Sequence, residues 1–200
     1  MGSVPVADFD HIVEKVLSPR ALAHVVLRTD AGNFQKMVDF YTVFLGGRVT
    51  HGNDFLSFIT YDEEHHRIAL IGMPGTRPKV PTSSGLEHIA FTFPTVSALL
   101  VAYRQRRARG ISPLWCFNHG PTTSIYYKDP DGNMLETQVD NFDTVEATNA
   151  FMRSKEFGEN PIGTDFDAED FIARLNQGES EEVLKKRVEI GPRALPDDLF

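Results

Sequence analysis

Two histidines stand 64 residues apart, His24 in "LAHVVL" and His88 in "LEHIAF", each opening an apolar run of matching outline. An imidazole buried without a partner costs about 1–3 kcal/mol, so each needs a hydrogen bond or a metal. Further along, "NMLETQV" places a carboxylate, Glu136, inside an apolar strand. The corresponding stretch of the first copy, "RIALIG", offers only Ala69 or Leu70 there. Pseudo-symmetry therefore supplies four positions around a shared centre, and His24, His88 and Glu136 fill three. Two imidazoles and one carboxylate leave coordination positions open, the arrangement favoured by Fe(II) centres that take oxygen and substrate together.

The elements around these residues repeat as well. After each histidine strand comes an amphipathic stretch holding Tyr41 or Tyr103, then Gly47 or Gly110, then a new apolar run. In the first copy a strand at 21–29 leads into "NFQKMVDFYTVFLGG", whose Phe34, Met37, Val38, Tyr41 and Leu45 keep near-helical spacing. "RVTHGN", "FLSFITYD" and "HRIALIGM" read as strands. The second copy gives a strand at 86–93, a helix at 95–109 and strands at 111–117, 122–128 and 133–139, with Asp131-Gly132 as the hairpin signal.

The fold expected is α+β: two paired βαβββ modules forming a cupped sheet around a metal site, plus a C-terminal helical tail. Residues 1–20 form a lead-in with a short helix in "FDHIVEKVL". The modules span 21–74 and 86–140, and a Pro-, Gly- and Ser-rich linker at 75–85 joins them. Residues 141–200 are an extension that packs on the modules or a partner subunit. Within it "DAEDFIARLNQG" has Asp167 as N-cap and Gly178 as a stop, and "SEEVLKKR" is a second helix.

Composition narrows the function. A net charge of −8 argues against a nucleic-acid surface, and "RQRRARG" reads as a solvated helix end whose cations complement the macrodipole. Cys116 is the single cysteine, which excludes an internal disulfide framework and a thiolate metal cage. No stretch approaches the roughly 18–20 apolar residues of a membrane span, and no secretory signal is evident. A cytoplasmic protein is the expectation.

With "FYTVFLGG" and "YYKDPDGNMLE" in place, residues 21–140 resemble the vicinal oxygen chelate superfamily of glyoxalases, bleomycin-resistance proteins and dioxygenases. Glyoxalase-type members usually fill the fourth position with a carboxylate. Its lack here leans toward type I extradiol ring-cleavage dioxygenases, similar to those acting on 2,3-dihydroxybiphenyl. That resemblance implies Fe(II), with Mn(II) as an alternative, held by His24, His88 and Glu136. It implies O2 and a small aromatic diol as substrates, and no organic cofactor. "EEHHRIAL" resembles the segment carrying a catalytic histidine, here His66, which assists ring attack beside O2. If Leu70 takes the vacant ligand position, strand alternation puts His66 on the cavity side.

Tyr126, ten residues before Glu136, matches a tyrosine that hydrogen-bonds the deprotonated substrate oxygen, and His119 a histidine that contacts the substrate hydroxyl. Tyr127 points to the other face. Phe55, Phe58, Trp115 and Phe117 could line an apolar pocket, or be ordinary core. His11 and His51 read as surface residues. One pair of modules departs from the four-module dioxygenases, and a homo-oligomer, a dimer or higher, assembled through the tail would compensate. The rival readings are a metal-dependent isomerase, epimerase or glyoxalase-type lyase, for which Glu63 or Glu64 would swing in, and a non-catalytic protein that binds an aromatic compound.

Overall fold

Phe34, Met37, Val38, Tyr41 and Phe44 recur at helical spacing and are all buried, which fixes one face of the first helix against a sheet. The computed structural model describes residues 16–194, so the expected lead-in helix and His11 fall mostly outside it. The first module runs β1 (Val25–Thr29), α1 (Phe34–Leu45), β2 (Arg48–Gly52), β3 (Leu56–Thr60) and β4 (Ile68–Gly72), in the sheet order β1-β4-β3-β2. Helix α1 stops at Gly46, whose left-handed φ of 59° suits glycine.

The second module repeats the path with β5 (His88–Thr92), α2 (Val96–Arg107), β6 (Trp115–Asn118), β7 (Thr122–Lys128) and β8 (Met134–Asp140). Its sheet order is β5-β8-β7-β6-β9, the last strand coming from the tail. In both modules the first and last strands pair in parallel, and the two sheets share no strand pair. Strands β1 and β5, where the two histidine runs lie, are therefore both sheet edges.

The modules are joined through their helix-covered sides. Phe44 of α1 sets its ring edge-on to Phe91 and Tyr127, with centroids 6.1 and 5.2 Å away. The buried Tyr41 hydroxyl donates to Asp129 Oδ2 at 2.9 Å. Arg106 Nε donates to the Phe44 carbonyl at 2.9 Å, and its guanidinium lies 4.2 Å over the Phe44 ring. This corrects the reading of "RQRRARG" as solvated. Arg106 is only 4% exposed, because a cation at the C-terminus of α1 and on an aromatic face is stabilised inside. Arg104 and Arg107 pair with Glu169 of the tail.

The tail adds α3 (Val145–Met152), α4 (Lys155–Glu159), β9 (Thr164–Asp165), α5 (Ala168–Asn176) and α6 (Glu181–Lys185). Sequence patterning missed α3, α4 and β9. Helices α3 and α4 bury no residue, and β9 is two residues held only by β6, so none carries a periodic apolar signal. Asp167 caps α5 by accepting from the Glu169 and Asp170 amides. Among the described residues no helix is long and apolar enough to cross a membrane.

Glu181 of the tail accepts from the Val96 and Ser97 amides at 2.9 Å, covering orphan donors at the start of α2 beside the Thr95 cap. Burial pushes its carboxyl up, but the bonds from Ser97 and Val96 outweigh that and hold it below its usual range. That stabilisation is complete above the unfolded carboxylate value of about 4.3 and is lost as pH falls through the lower folded one. Glu181→Ala should cost about 1–2 kcal/mol in urea unfolding at neutral pH. The gap from the parent chain should shrink as the medium is acidified, and a pH-independent gap would contradict the assignment.

Candidate active site

Register across the second sheet aligns Ala90, Glu136, Tyr126 and Trp115 in one row, all on the face opposite the helix. The neighbouring row is Thr92, Gln138, Ser124 and Phe117. His88 sits at the edge of this face, and its Nε2 lies 3.1 Å from Glu136 Oε2. Glu136 is buried. Desolvation pushes its carboxyl up, yet the hydrogen bonds from His88 and Ser124 prevail and leave it below the usual carboxylate range. His88 is correspondingly raised, first by its bond to Glu136. The pair holds a proton between two groups that each have a lone pair to offer a cation.

Beside this pair stands a second one. His119 Nε2 is 2.9 Å from the Tyr126 hydroxyl, and His119 Nδ1 meets the Ile162 carbonyl of the tail. A carbonyl only accepts, so Nδ1 carries the hydrogen. Burial lowers the pKa of His119, which keeps it neutral and leaves Nε2 to accept from Tyr126. Burial, then the nearby Glu136 charge, raises the Tyr126 phenol far above its ordinary value, so it stays protonated. Tyr127 is fully buried on the other face, in the core.

The first module presents a separate cluster. His24, exposed just ahead of β1, has its ring centroid 4.3 Å from that of His66. His66 is buried and stacks on Phe58 at 4.4 Å, with 12° between the planes. Burial, then the His24 and His65 rings, lowers its pKa. Row register pairs Val26 with Ala69 and Ala69 with Phe58, so Ala69 is the counterpart of Glu136. The expectation built on Leu70 is thereby corrected: Leu70 and Ile68 face the core. His66 still reaches the open face because β4 begins only at Ile68, and strand alternation does not extend back into the turn.

The structure thus brings His88 to Glu136, Tyr126 to His119, and His24 to His66, with Trp115 and Phe117 packed around Tyr126. It does not bring His24 to the other two proposed ligands: among the described residues no three His, Cys, Asp or Glu side chains converge as a metal cage. Of the proposed pocket aromatics, Phe55 is exposed at 54%, ahead of β3. Glu64 turns to His65 at 3.3 Å, and Glu63 is exposed. His51 is exposed. Burial pushes the Cys116 thiol up to about 12. No sequence signal points to Ile162, since a backbone carbonyl has no side-chain signature, and Ser124 carries none beyond its place in β7.

Residues 21–137 match the family described as the glyoxalase/bleomycin resistance protein/dioxygenase superfamily. Biphenyl-2,3-diol 1,2-dioxygenase 2 of Rhodococcus globerulus is 46% identical over 146 residues, 72% of this chain and 76% of that protein. Biphenyl-2,3-diol 1,2-dioxygenase 3 of the same organism is 45% identical over 152 residues, 75% of this chain and 78% of that one. A glyoxalase/dioxygenase structure from Nostoc punctiforme shares the fold with a TM-score of 0.51 at 22% identity, covering 64% of this chain and 99% of its own. A domain of the same class from Frankia also reaches 0.51, at 20% identity, covering 62% and 99%.

The tail reaches His119 through a close backbone contact. Gly163 has φ +105°, and a Cβ there would lie 2.2 Å from the Asn118 carbonyl oxygen. Gly163→Ala should destabilise the chain by at least about 1–3 kcal/mol. At roughly 2–4 °C per kcal/mol for a chain of this size, the loss is visible in a melting curve. An unchanged melting temperature would show that the contact does not hold the His119 loop.

Proposed function

The chain belongs to the glyoxalase/bleomycin resistance protein/dioxygenase superfamily, and from that premise we propose that it is an extradiol dioxygenase, opening the ring of a catechol-type diol with O2. The observation that carries the reading is the run of side chains His88, Glu136, Tyr126 and His119 on one open sheet face, with aromatic neighbours Trp115 and Phe117. The relatives named for biphenyl-2,3-diol support a substrate with an extended aromatic body, for which those two rings offer apolar contact.

His24, His88 and Glu136 are the residues that would hold Fe(II), with Mn(II) suited to the same donors. The donor chemistry fits such a cation, although one chain gathers only two of the three. A bound divalent metal would supply a chelation point for the diol and would lower the pKa of its hydroxyls. Tyr126 accepts the hydrogen of a substrate hydroxyl while its own proton leans on His119 Nε2. The pair thus takes up or returns one proton at the diol oxygen. His119 can receive it because Ile162 fixes its tautomer. His66, neutral and backed by Phe58, supplies a second acid–base group on the oxygen side. Ala69 at the counterpart of Glu136 weighs against a glyoxalase-type lyase, since it brings no fourth donor.

The test is oxygen uptake by protein reconstituted anaerobically with Fe(II) and supplied with 2,3-dihydroxybiphenyl and simple catechols. Stoichiometric uptake with a new yellow absorbance is expected. Tyr126→Phe should lower kcat/KM by roughly 10²-fold, the low end for a missing acid–base group, because it cuts the path from the diol oxygen to His119. His66→Ala should lower kcat by about 10²–10⁴-fold, as for a missing acid–base group. Tight metal binding without uptake for any diol would sink the dioxygenase reading and favour an isomerase or lyase.

A further inference from the structure

We infer that Arg187 of the tail is the positioning residue of the Tyr126–His119 pair. Its guanidinium fixes the loop that carries His119 against the loop that carries Ile162. The inference rests on the reading of that pair as the proton relay for a diol. Arg187 lies two residues beyond α6, and its side chain is only 1% exposed. A guanidinium offers a fixed fork of N–H donors, and here each one is used. Nη1 donates to the His119 carbonyl at 3.1 Å and to the Asn160 carbonyl at 2.7 Å. Nη2 donates to the Glu156 carbonyl at 3.1 Å and to Glu189 Oε2 at 2.8 Å. Nε donates to Glu189 Oε1 at 2.9 Å. Glu189 thus balances the charge from the outer side, and the inner side is given wholly to backbone.

The position of those carbonyls gives the contact its meaning. One nitrogen, Nη1, bridges the two loops whose separation sets the bond from His119 Nδ1 to the Ile162 carbonyl. Asn160 carries the constraint on to Ile162. It is fully buried, its Oδ1 accepts from the Gly163 amide at 2.8 Å, and its Nδ2 donates to the Gly163 carbonyl at 3.1 Å. In a trans peptide the N–H and C=O point opposite ways. A Gly163 amide held by Asn160 therefore turns the Ile162 carbonyl away from Asn160 and toward His119. On the other loop, Gly120 packs so closely on Phe151 that a Cβ would lie 2.1 Å from the ring. That same ring lies 5.1 Å below the Arg187 guanidinium. His119 is thus held at its backbone and at Nδ1, which sets Nε2 at 2.9 Å from the Tyr126 hydroxyl. Glu181 and the buried Leu184 already anchor this part of the tail, so what Arg187 adds is the spacing of two loops. Lysine is no substitute: an ammonium is a point charge without the planar fork that spans these carbonyls.

The test uses the full chain, first without metal. Imidazole nitrogen NMR shifts report which nitrogen of His119 carries the hydrogen, with His119→Ala assigning the signal and no turnover required. The parent chain should show one neutral form, with the hydrogen on Nδ1. In Arg187→Ala, and in Arg187→Lys, which keeps the charge, His119 should become a mixture of the two tautomers. After Fe(II) loading, kcat for 2,3-dihydroxybiphenyl should fall by roughly 10–10²-fold, as when a reacting group is misplaced. KM and Co(II) binding should stay near the parent's. Should the alanine variant not fold, the lysine variant decides alone. A folded variant that keeps the single Nδ1–H form and the parent's kcat would overturn the positioning role, even if it melts earlier. A parent chain whose His119 carries its hydrogen on Nε2 would overturn it as well. Tautomer mixing in the variants, with no O2 uptake by the parent for any diol, would support the positioning role and overturn the dioxygenase reading instead.

Discussion

Everything in this chain depends on how α1 is buried. The helix has to cover its own sheet, and it also fills the junction with the second module, where Phe44 meets Phe91 and Tyr127. Arg106 completes the contact by capping the last turn of α1 from inside the protein. A buried cation is tolerable there because a carbonyl, the helix dipole and the Phe44 ring all present negative charge to it. Once that junction forms, the helix sides of both sheets face inward and the histidine-bearing faces are left open.

The same constraint explains the distribution of the chemistry. The second module is furnished with a buried carboxylate, its imidazole partner, and a tyrosine–histidine pair held by the tail. The first module contributes two stacked imidazoles and Phe58, with Ala69 at the place where a fourth donor would stand. Each half alone is an ordinary set of polar side chains on a sheet. Together they hold the two imidazoles and the carboxylate proposed as metal ligands and the three side chains proposed for acid–base work on a diol.

Much of this was legible because the repeat is written in residue types with strict positional meaning. Glycine after α1, Asp131-Gly132 at the β7–β8 hairpin and the two matched histidine runs fix the βαβββ plan by backbone chemistry alone. Glu136 was visible since a carboxylate in an apolar strand demands an explanation, and Tyr126 because its spacing from Glu136 matches the family the chain resembles; that both lie on one face is known only from the strand register. The sequence could not show that His24 stays apart from Glu136, which follows from tertiary packing of α1. Arg106 misled because a run of arginines looks solvated when the aromatic faces that receive one of them come from elsewhere in the chain. His66 reached the expected face for a different reason from the one its spacing offered, since the strand starts two residues after it.

The measurement that bears most directly on this account is anomalous diffraction at the iron edge from crystals loaded anaerobically with Fe(II). The account expects one strong peak per chain, at the His88–Glu136 pair. No ordered iron at that pair, or iron found away from Glu136, would contradict the metal centre.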